Sequence, residues 1–354
     1  MDINFNMKKI KYVKLDELFN ESKIDLRNGE VNVFINIGIV LNRLLTPKID
    51  NCLRASNDSR GLQLISNIIN LAAHYRLYFS SRRIRSNIYM YIQHPFDADY
   101  KNGIYNTHYR NGYKFKYADN INNYIICDYI KTAIPLIKII LEYVKGVYML
   151  EAGNIESSVI PYILGKDSDA HNIIISTDIY DMQYCKYGYT VLYPKQDDSV
   201  IITSENVCTM MSKIYKFDMK DASYHQIPFL LSIVGNVDRS IYGIKGIGLH
   251  RASSLIQKAI DMNAIGKTTD NIDILVNIIK DEYVEQVQRN FCCIDVKSQY
   301  SDLNSKDKYG ITSQLVDKFD NATLKMLNDK HFEENPLLLD ALTSVPKTKP
   351  DVIF

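Results

Sequence analysis

Three glycines stand at short spacing in residues 243–251 (GIKGIGLHR), directly ahead of a helical pattern. Gly243, Gly246 and Gly248 permit a tight turn with left-handed backbone. Backbone N–H groups at the start of a helix attract phosphate, because they add to the positive end of the helix dipole. The basic side chains of the same stretch are Lys245, His250 and Arg251. The pattern therefore predicts a contact with a nucleic-acid backbone that is independent of base sequence, and a plain glycine-rich turn between packed helices is the alternative.

A second candidate contact lies in residues 94–121, where aromatic and basic residues alternate. Tyr109 precedes Arg110, and Tyr113 precedes Lys114. Aromatic rings can stack bases while cations hold phosphates, which predicts a single-strand contact at Arg110 and Lys114. A polar loop whose tyrosines pack on the domain is the alternative. The three arginines at 82, 83 and 85 indicate a solvated helix end instead.

Several other kinds of chemistry find no support in the sequence. The six cysteines form no CxxC pair, and the seven histidines show neither HxH nor HExxH spacing, which argues against zinc. Neither a Walker A pattern nor a GxSxG nucleophile elbow is present. The formal charge of +1 excludes a strongly basic, non-specific nucleic-acid binder, so any such contact must be a local patch.

The elements that must position these residues begin with a strand, a helix and a strand. Val31–Leu45 opens as a strand, Gly61–Phe79 has apolar residues at helical spacing, and Ser86–Gln93 is a second strand. A βαβ unit implies a parallel sheet. Asn172–Ser176 (NIIIS) is typical of a buried parallel strand. Two shorter candidates follow at 191–194 and 200–203.

The second half of the chain is predicted to be mostly helical, with helices at Ser223–Val234 and Leu249–Ile260. We expect an α/β domain over residues 1–205, with an insertion at 94–121, and a helical domain over 206–354 that carries a helix–hairpin–helix at 229–260. The longest apolar stretch, Thr132–Leu150, contains three charged residues and is therefore expected to be an amphipathic helix rather than a membrane span, with a strand at Val147–Leu150 as an alternative for its end. The amino-terminal residues show no secretory pattern, which indicates a cytoplasmic protein that is not secreted.

Four segments, in order, resemble the motifs of 5′-nucleases and flap endonucleases. They are NVFINIGIVLNRLL (32–45), IESSVIPYIL (155–164), IIISTDIYDMQY (173–184) and GNVDRSIYGIKGIGLHRAS (235–253). The resemblance implies a PIN-like α/β fold, with a mostly parallel sheet flanked by helices and a helical H3TH module. It also implies phosphodiester hydrolysis at 5′ ends and branched DNA junctions by two divalent ions, and an arch at 94–121. The Ile-, Asn-, Tyr- and Lys-rich composition suggests an AT-rich, phage-like viral genome, hence a host-cell cytoplasm.

Most of the carboxylates that the family uses to hold its ions have no counterpart here. Only Asp178 matches such a position. The aspartate that ends the family's second strand falls on Gln93 or His94. The remaining positions hold Asn36, Ile155, Ser157, Ser158, Tyr180, Asn236 and Arg239. Amides and hydroxyls coordinate a metal weakly without neutralising its charge, and an arginine repels it. The resemblance therefore implies a pseudo-nuclease, which binds nucleic acid without cleaving it. Its ligand would be branched or junction DNA, or an RNA hybrid, and it would serve as an accessory subunit in replication, repair or transcription.

Two alternatives remain open at this point. A register shift could rebuild one Mg²⁺ or Mn²⁺ site from Asp178, Asp181 and Asp238, which would give an active 5′–3′ exonuclease or flap endonuclease. The other alternative is a structural or protein-interaction subunit that has lost DNA binding. No cofactor is predicted for the pseudo-nuclease, apart from a monovalent cation at the helix–hairpin–helix.

Overall fold

The computed structural model describes residues 19, 29–37, 58–93, 137–138, 141, 146–152, 155–194, 199–219, 224–236, 241–261, 279–312 and 314–315. Its main sheet has six strands: β1 (Glu30–Asn36), β2 (Arg85–Gln93), β3 (Val147–Ala152), β4 (His171–Ile175), β5 (Thr190–Tyr193) and β6 (Val200–Ile202). Their order is β3-β2-β1-β4-β5-β6. The first five are parallel, and β6 is antiparallel to β5.

The strands are apolar on both faces, as expected for a parallel sheet that is covered on both sides. In β1, every residue from Val31 to Ile35 is buried. An aromatic ladder crosses three strands on one face. The ring of Phe34 stacks on Tyr89 at 5.1 Å between centroids, and Tyr89 stacks on Tyr148 at 5.3 Å. Such pairs stabilise neighbouring strands and help to fix their register.

Helices flank the sheet and make up most of the described second half of the chain. They are α1 (Asp58–Ser81), α2 (Ile160–Gly165), α3 (Val207–Tyr215), α4 (Ile227–Val234), α5 (Leu249–Asp261), α6 (Asp281–Ile294), α7 (Val296–Asp302) and α8 (Ser305–Thr312). Helix α1 packs on β2. The predicted βαβ unit, the strands after residue 170 and the α/β class with a mostly parallel, helix-flanked sheet are confirmed. None of the helices in the described ranges has both the length and the apolar character needed to cross a bilayer.

A single hydrophobic cluster contains side chains from the sheet and from the helices, between Phe34 and Ile311. The chain also returns to the edge strand β3 after α8. The side-chain amide of Gln314 accepts a hydrogen bond from the N–H of Glu151 at 2.9 Å and donates one to its carbonyl at 3.0 Å. This pair of hydrogen bonds occupies backbone groups of β3, an edge strand of the described sheet. The predicted domain boundary between residues 205 and 206 stays a prediction.

A polar network crosses the middle of the sheet. The Asn32 amide donates to the Asn172 side-chain oxygen at 3.0 Å and to Ser168 Oγ at 3.1 Å. Its oxygen accepts a hydrogen bond from Asn87 at 3.3 Å. Asn87 and Asn172 are the register partners of Asn32 on the two neighbouring strands. Because Asn32 is buried, its amide can be hydrogen-bonded only if the three strands keep this register.

We expect Asn32→Ala to lower the free energy of unfolding by about 1–3 kcal/mol, because it leaves buried amide groups of its neighbours without partners. Urea unfolding followed by circular dichroism measures this as a lower midpoint. Ser301→Ala removes an exposed hydroxyl from α7 and is the control, with a change of less than about 0.5 kcal/mol. Equal midpoints for the two variants would show that the network adds nothing to stability.

Candidate nucleic-acid interface

The strand order places a crevice at the carboxyl ends of β1 and β4. The chain adds β2 and β3 on one side of β1 and then returns to its other side with β4, so these two strands form the topological switch point. Ligands of open α/β sheets bind outside the strand ends at such a point. Asn36 ends β1, and Ser176 and Asp178 follow β4. Since Ile35 pairs with Ile175, Asn36 and Ser176 leave the sheet side by side.

Asp178, the one acid that matches the family positions, caps a 3₁₀ helix formed by residues Ile179–Tyr187. Its Oδ1 accepts a hydrogen bond from the N–H of Tyr180 at 3.0 Å. The Asp178 N–H in turn donates to Ser176 Oγ at 3.0 Å. A carboxylate in this position is a common helix cap. The local geometry thus assigns Asp178 a structural task that is independent of any metal.

The serine positions belong to the packed interior. Ile155, Ser157 and Ser158 are all buried, and Ile155 is part of the hydrophobic cluster. The carbonyl of Ser158 accepts a hydrogen bond from the Tyr184 hydroxyl. Burial raises the pKa of that hydroxyl well above its usual value, so Tyr184 stays protonated and remains a donor. The segment after β3 is therefore attached to the 3₁₀ helix by groups that carry no charge.

Tyr180 joins the crevice to the elements that follow α4. It is buried, and its hydroxyl donates to the carbonyl of Gly235. Gly235 and Asn236 form β7, which pairs with β8 (Ile241–Tyr242) in a two-stranded antiparallel hairpin. Tyr180 thus holds the backbone of Gly235 in place through an uncharged hydroxyl. Arg239 and Asp238 lie outside the described residues.

The residues that the structure describes at this crevice do not form the cluster of acids that a two-ion centre needs. Divalent ions of the Mg²⁺ type require several hard oxygen ligands with negative charge. Among the described residues, no group of three histidine, cysteine, aspartate or glutamate side chains converges on one point. Asp181, the second acid of the predicted rearranged site, is buried.

The glycine-rich turn has the geometry that its sequence predicts. The N–H of Ile247 donates to the carbonyl of Ile244 at 3.0 Å, which closes a β-turn over Lys245 and Gly246. Gly246 has a φ of 81°, and Lys245 is not among the residues with positive φ, so the turn is type II. Gly243 lies against the end of α4, where an added Cβ would be 1.9 Å from the carbonyl oxygen of Val234. Only glycine permits this close approach of two backbones.

The turn leads into the amino terminus of α5. The N–H of Ala252 donates to the carbonyl of Gly248 at 3.0 Å, which makes Gly248 the capping residue. Glycine has no side chain with which to cap the first N–H groups of a helix, and such groups can bind an anionic ligand. Lys245, His250 and Arg251 are exposed around this end of the helix. The structure therefore brings together the turn and the three basic residues that the sequence singled out.

The carbonyl groups of this region already accept hydrogen bonds from the protein. Arg251 Nη1 donates to the carbonyl of Gly246 at 2.9 Å. Gln286 Nε2 donates to the carbonyls of Tyr242 and Gly243 at 2.8 and 3.0 Å. A monovalent cation at these carbonyls would have to share oxygen atoms that are in use. The role of Gln286 escaped the sequence analysis, because a polar residue on an amphipathic helix carries no signal of a distant partner.

The other predicted contacts divide into two groups. Arg110 and Lys114, with the whole of 94–121, lie outside the described residues. Arg82, Arg83 and Arg85 stand at the end of α1 and the start of β2, as expected for a helix end. The Arg82 guanidinium lies 3.8 Å from the centre of the Tyr78 ring and donates to the Tyr78 carbonyl at 2.9 Å. These arginines are exposed and are occupied with local contacts.

The chain is similar to solved structures of bacteriophage T5 nucleases. A T5 5′-exonuclease with bound zinc matches over 88% of this chain and 98% of its own, at 13% identity and a TM-score of 0.48. A T5 flap endonuclease in a pseudo-enzyme–product complex with DNA and metal ions matches over 90% and 100%, at 15% identity and a TM-score of 0.47. Their class is the one that the sequence motifs resemble. No family model and no curated protein matches the chain.

Proposed function

We propose that this protein binds the sugar–phosphate backbone of DNA through the turn at Gly243–Gly248 and the amino terminus of α5, and that it does not cleave DNA. The observation that carries the proposal is the glycine cap at the start of α5, with Lys245, His250 and Arg251 exposed around it. Backbone N–H groups and cations at one helix end are the chemistry that holds a phosphate. Contacts of this kind position nucleic acid without specifying bases.

The proposal that the protein does not cleave DNA rests on the crevice at the switch point, which we call a silent site, meaning a site without catalytic activity. Asp178 caps the 3₁₀ helix through its Oδ1, and the backbone carbonyl of Ser158 accepts a hydrogen bond from Tyr184, so both residues have structural tasks. A protein of this fold that binds DNA without cleaving it would act as an accessory subunit in replication, repair or transcription. We propose branched and junction DNA as the class of ligand that it binds.

Two measurements on the purified chain test the proposal. Binding to labelled 5′-flap and duplex DNA should weaken steeply as salt rises, since each neutralised phosphate adds about 0.9 to the slope of log K against log salt. Incubation of the flap substrate with Mg²⁺ or Mn²⁺ should release no product. No measurable affinity near physiological salt would overturn the binding proposal and leave a structural or protein-interaction subunit.

The cleavage assay needs a variant that removes charge without disturbing the fold. Asp178→Asn keeps a side-chain oxygen that can accept from the Tyr180 N–H and loses the negative charge. If the site is silent, we expect Asp178→Asn and the wild type to give the same background level of cleavage product and the same DNA affinity. Cleavage by the wild type that disappears in Asp178→Asn would contradict the silent-site proposal and favour the rearranged metal site.

A further inference from the structure

Helix α6 directs a side-chain amide to the backbone of the proposed DNA-binding turn. Gln286, half-buried on α6, donates both of its amide hydrogens, one to the carbonyl of Tyr242 at 2.8 Å and one to that of Gly243 at 3.0 Å. These two residues lead directly into the turn at Gly243–Gly248. The amide spans 43 and 44 positions of sequence, so it fixes the turn from a separate element.

One helical turn further along α6, Asn290 makes a second connection of the same kind. Its Nδ2 donates at 2.9 Å to the carbonyls of both Ser232 and Tyr242. Asn290 is buried, with 2% of its surface exposed. Ser232 belongs to α4 and Tyr242 to β8, so this amide joins the helix before the hairpin to the strand that leads into the turn. A buried amide with both hydrogens bonded holds its partners in a defined geometry.

A third donor reaches the hairpin from the opposite side. The Tyr180 hydroxyl, on the 3₁₀ helix after β4, donates to the carbonyl of Gly235. Gly235 lies opposite Tyr242 in the hairpin register. Both strands of the hairpin thus receive side-chain donors from the structure around them. A loop that must reach phosphates loses less entropy on binding when it is already held in place.

We propose that Gln286, Asn290 and Tyr180 are positioning residues that hold the turn at Gly243–Gly248 in its DNA-binding conformation before DNA arrives. This inference rests on the proposed function, because it assigns to these residues the preparation of that same site. They hold backbone carbonyls and do not themselves contact phosphate. Their loss therefore lowers affinity and leaves unchanged the number of phosphates that the protein neutralises.

Gln286→Met is the variant that tests this inference. Methionine fits a helix as well as glutamine does and removes both donors. We expect the dissociation constant for a short duplex DNA to rise roughly five- to tenfold at fixed salt, which corresponds to the loss of about one net hydrogen bond. The slope of log K against log salt should be unchanged. Hydrogen exchange of the amides at 243–248, measured without DNA, should be faster.

Gln299→Met is the matched control. Gln299 lies on α7, and its Nε2 donates to the carbonyl of Cys293 at 2.8 Å, outside the hairpin. The substitution removes the same kind of amide–carbonyl bond and should leave DNA affinity, salt slope and exchange at 243–248 at wild-type values. Equal effects of the two substitutions would show a general loss of stability and would overturn the positioning role.

The remaining outcomes separate this inference from the proposed function. Wild-type exchange at 243–248 in Gln286→Met would overturn the inference, whether or not DNA binds. Unchanged affinity in Gln286→Met, from a wild type that binds DNA, would also overturn it and leave the proposed function standing. A wild type without DNA affinity would overturn the proposed function together with the DNA-binding role assigned here, and faster exchange would then support only a structural connection.

Discussion

Gly243→Ala should lower the free energy of unfolding by about 4 kcal/mol and abolish DNA binding, because the new methyl group has no room. Its Cβ would be 1.9 Å from the carbonyl oxygen of Val234 and 2.2 Å from its carbonyl carbon. Both atoms are backbone, so the clash is relieved only if the end of α4 separates from β8. That movement breaks the hydrogen bond from the Ile244 N–H to the Ile233 carbonyl, now 2.9 Å. Urea unfolding and DNA titration measure the two effects.

Two nearby glycines are controls for the loss of glycine itself. Gly246 has a φ of 81° and no atom within 4 Å of an added Cβ, so Gly246→Ala should cost only about 1–2 kcal/mol for the left-handed backbone. Gly248 has open space and no positive φ, and Gly248→Ala should cost no more than about 1 kcal/mol, because alanine is a poorer N-cap than glycine. If all three substitutions lowered stability equally, the close approach at Gly243 would not be the cause.

The sheet was predictable because its determinants are local. Buried parallel strands such as β4 are short runs of apolar residues, and α1 repeats its apolar residues at helical spacing. A strand, a helix and a strand in that order imply parallel pairing. The strands β7 and β8 have two residues each, which is too short for any periodic signal, and they were missed.

The turn at Gly243–Gly248 was predictable for the same reason, since glycine spacing reports a local backbone requirement. The hydrogen-bond partners of the crevice residues could not be predicted from the sequence. The sequence shows that Tyr180 is not a carboxylate, and it does not show that its hydroxyl reaches Gly235, 55 residues away. The same holds for Gln183, whose amide donates to the carbonyl of Ile294 and accepts from the N–H of Val296. Side-chain hydrogen bonds over such separations depend on tertiary packing, which periodicity does not encode.

The double substitution Lys245→Ala and Arg251→Ala should weaken DNA binding roughly 150-fold near physiological salt, since each charge-assisted contact is worth about 1.5 kcal/mol. Both side chains are exposed, and the double substitution removes one exposed hydrogen bond, from Arg251 to the Gly246 carbonyl, so the free energy of unfolding should change by less than about 1 kcal/mol. Removal of two cations should also reduce the slope of log K against log salt by about 1 to 2. The loss should be similar for duplex and flap DNA of any sequence, because phosphate contacts carry no base information.

A charge-matched control distinguishes binding at a local site from attraction of DNA by the overall charge of the protein. Lys258, in the last turn of α5, and Lys297, on α7, are exposed and lie away from the start of α5. Lys258→Ala with Lys297→Ala removes the same two charges from a chain whose formal charge is only +1. If the amino terminus of α5 holds the phosphate, this control should change affinity less than about threefold, since distant exposed charges are screened at physiological salt. Equal losses in both pairs would mean that overall charge draws DNA to the protein and that the turn at Gly243–Gly248 is not its binding site.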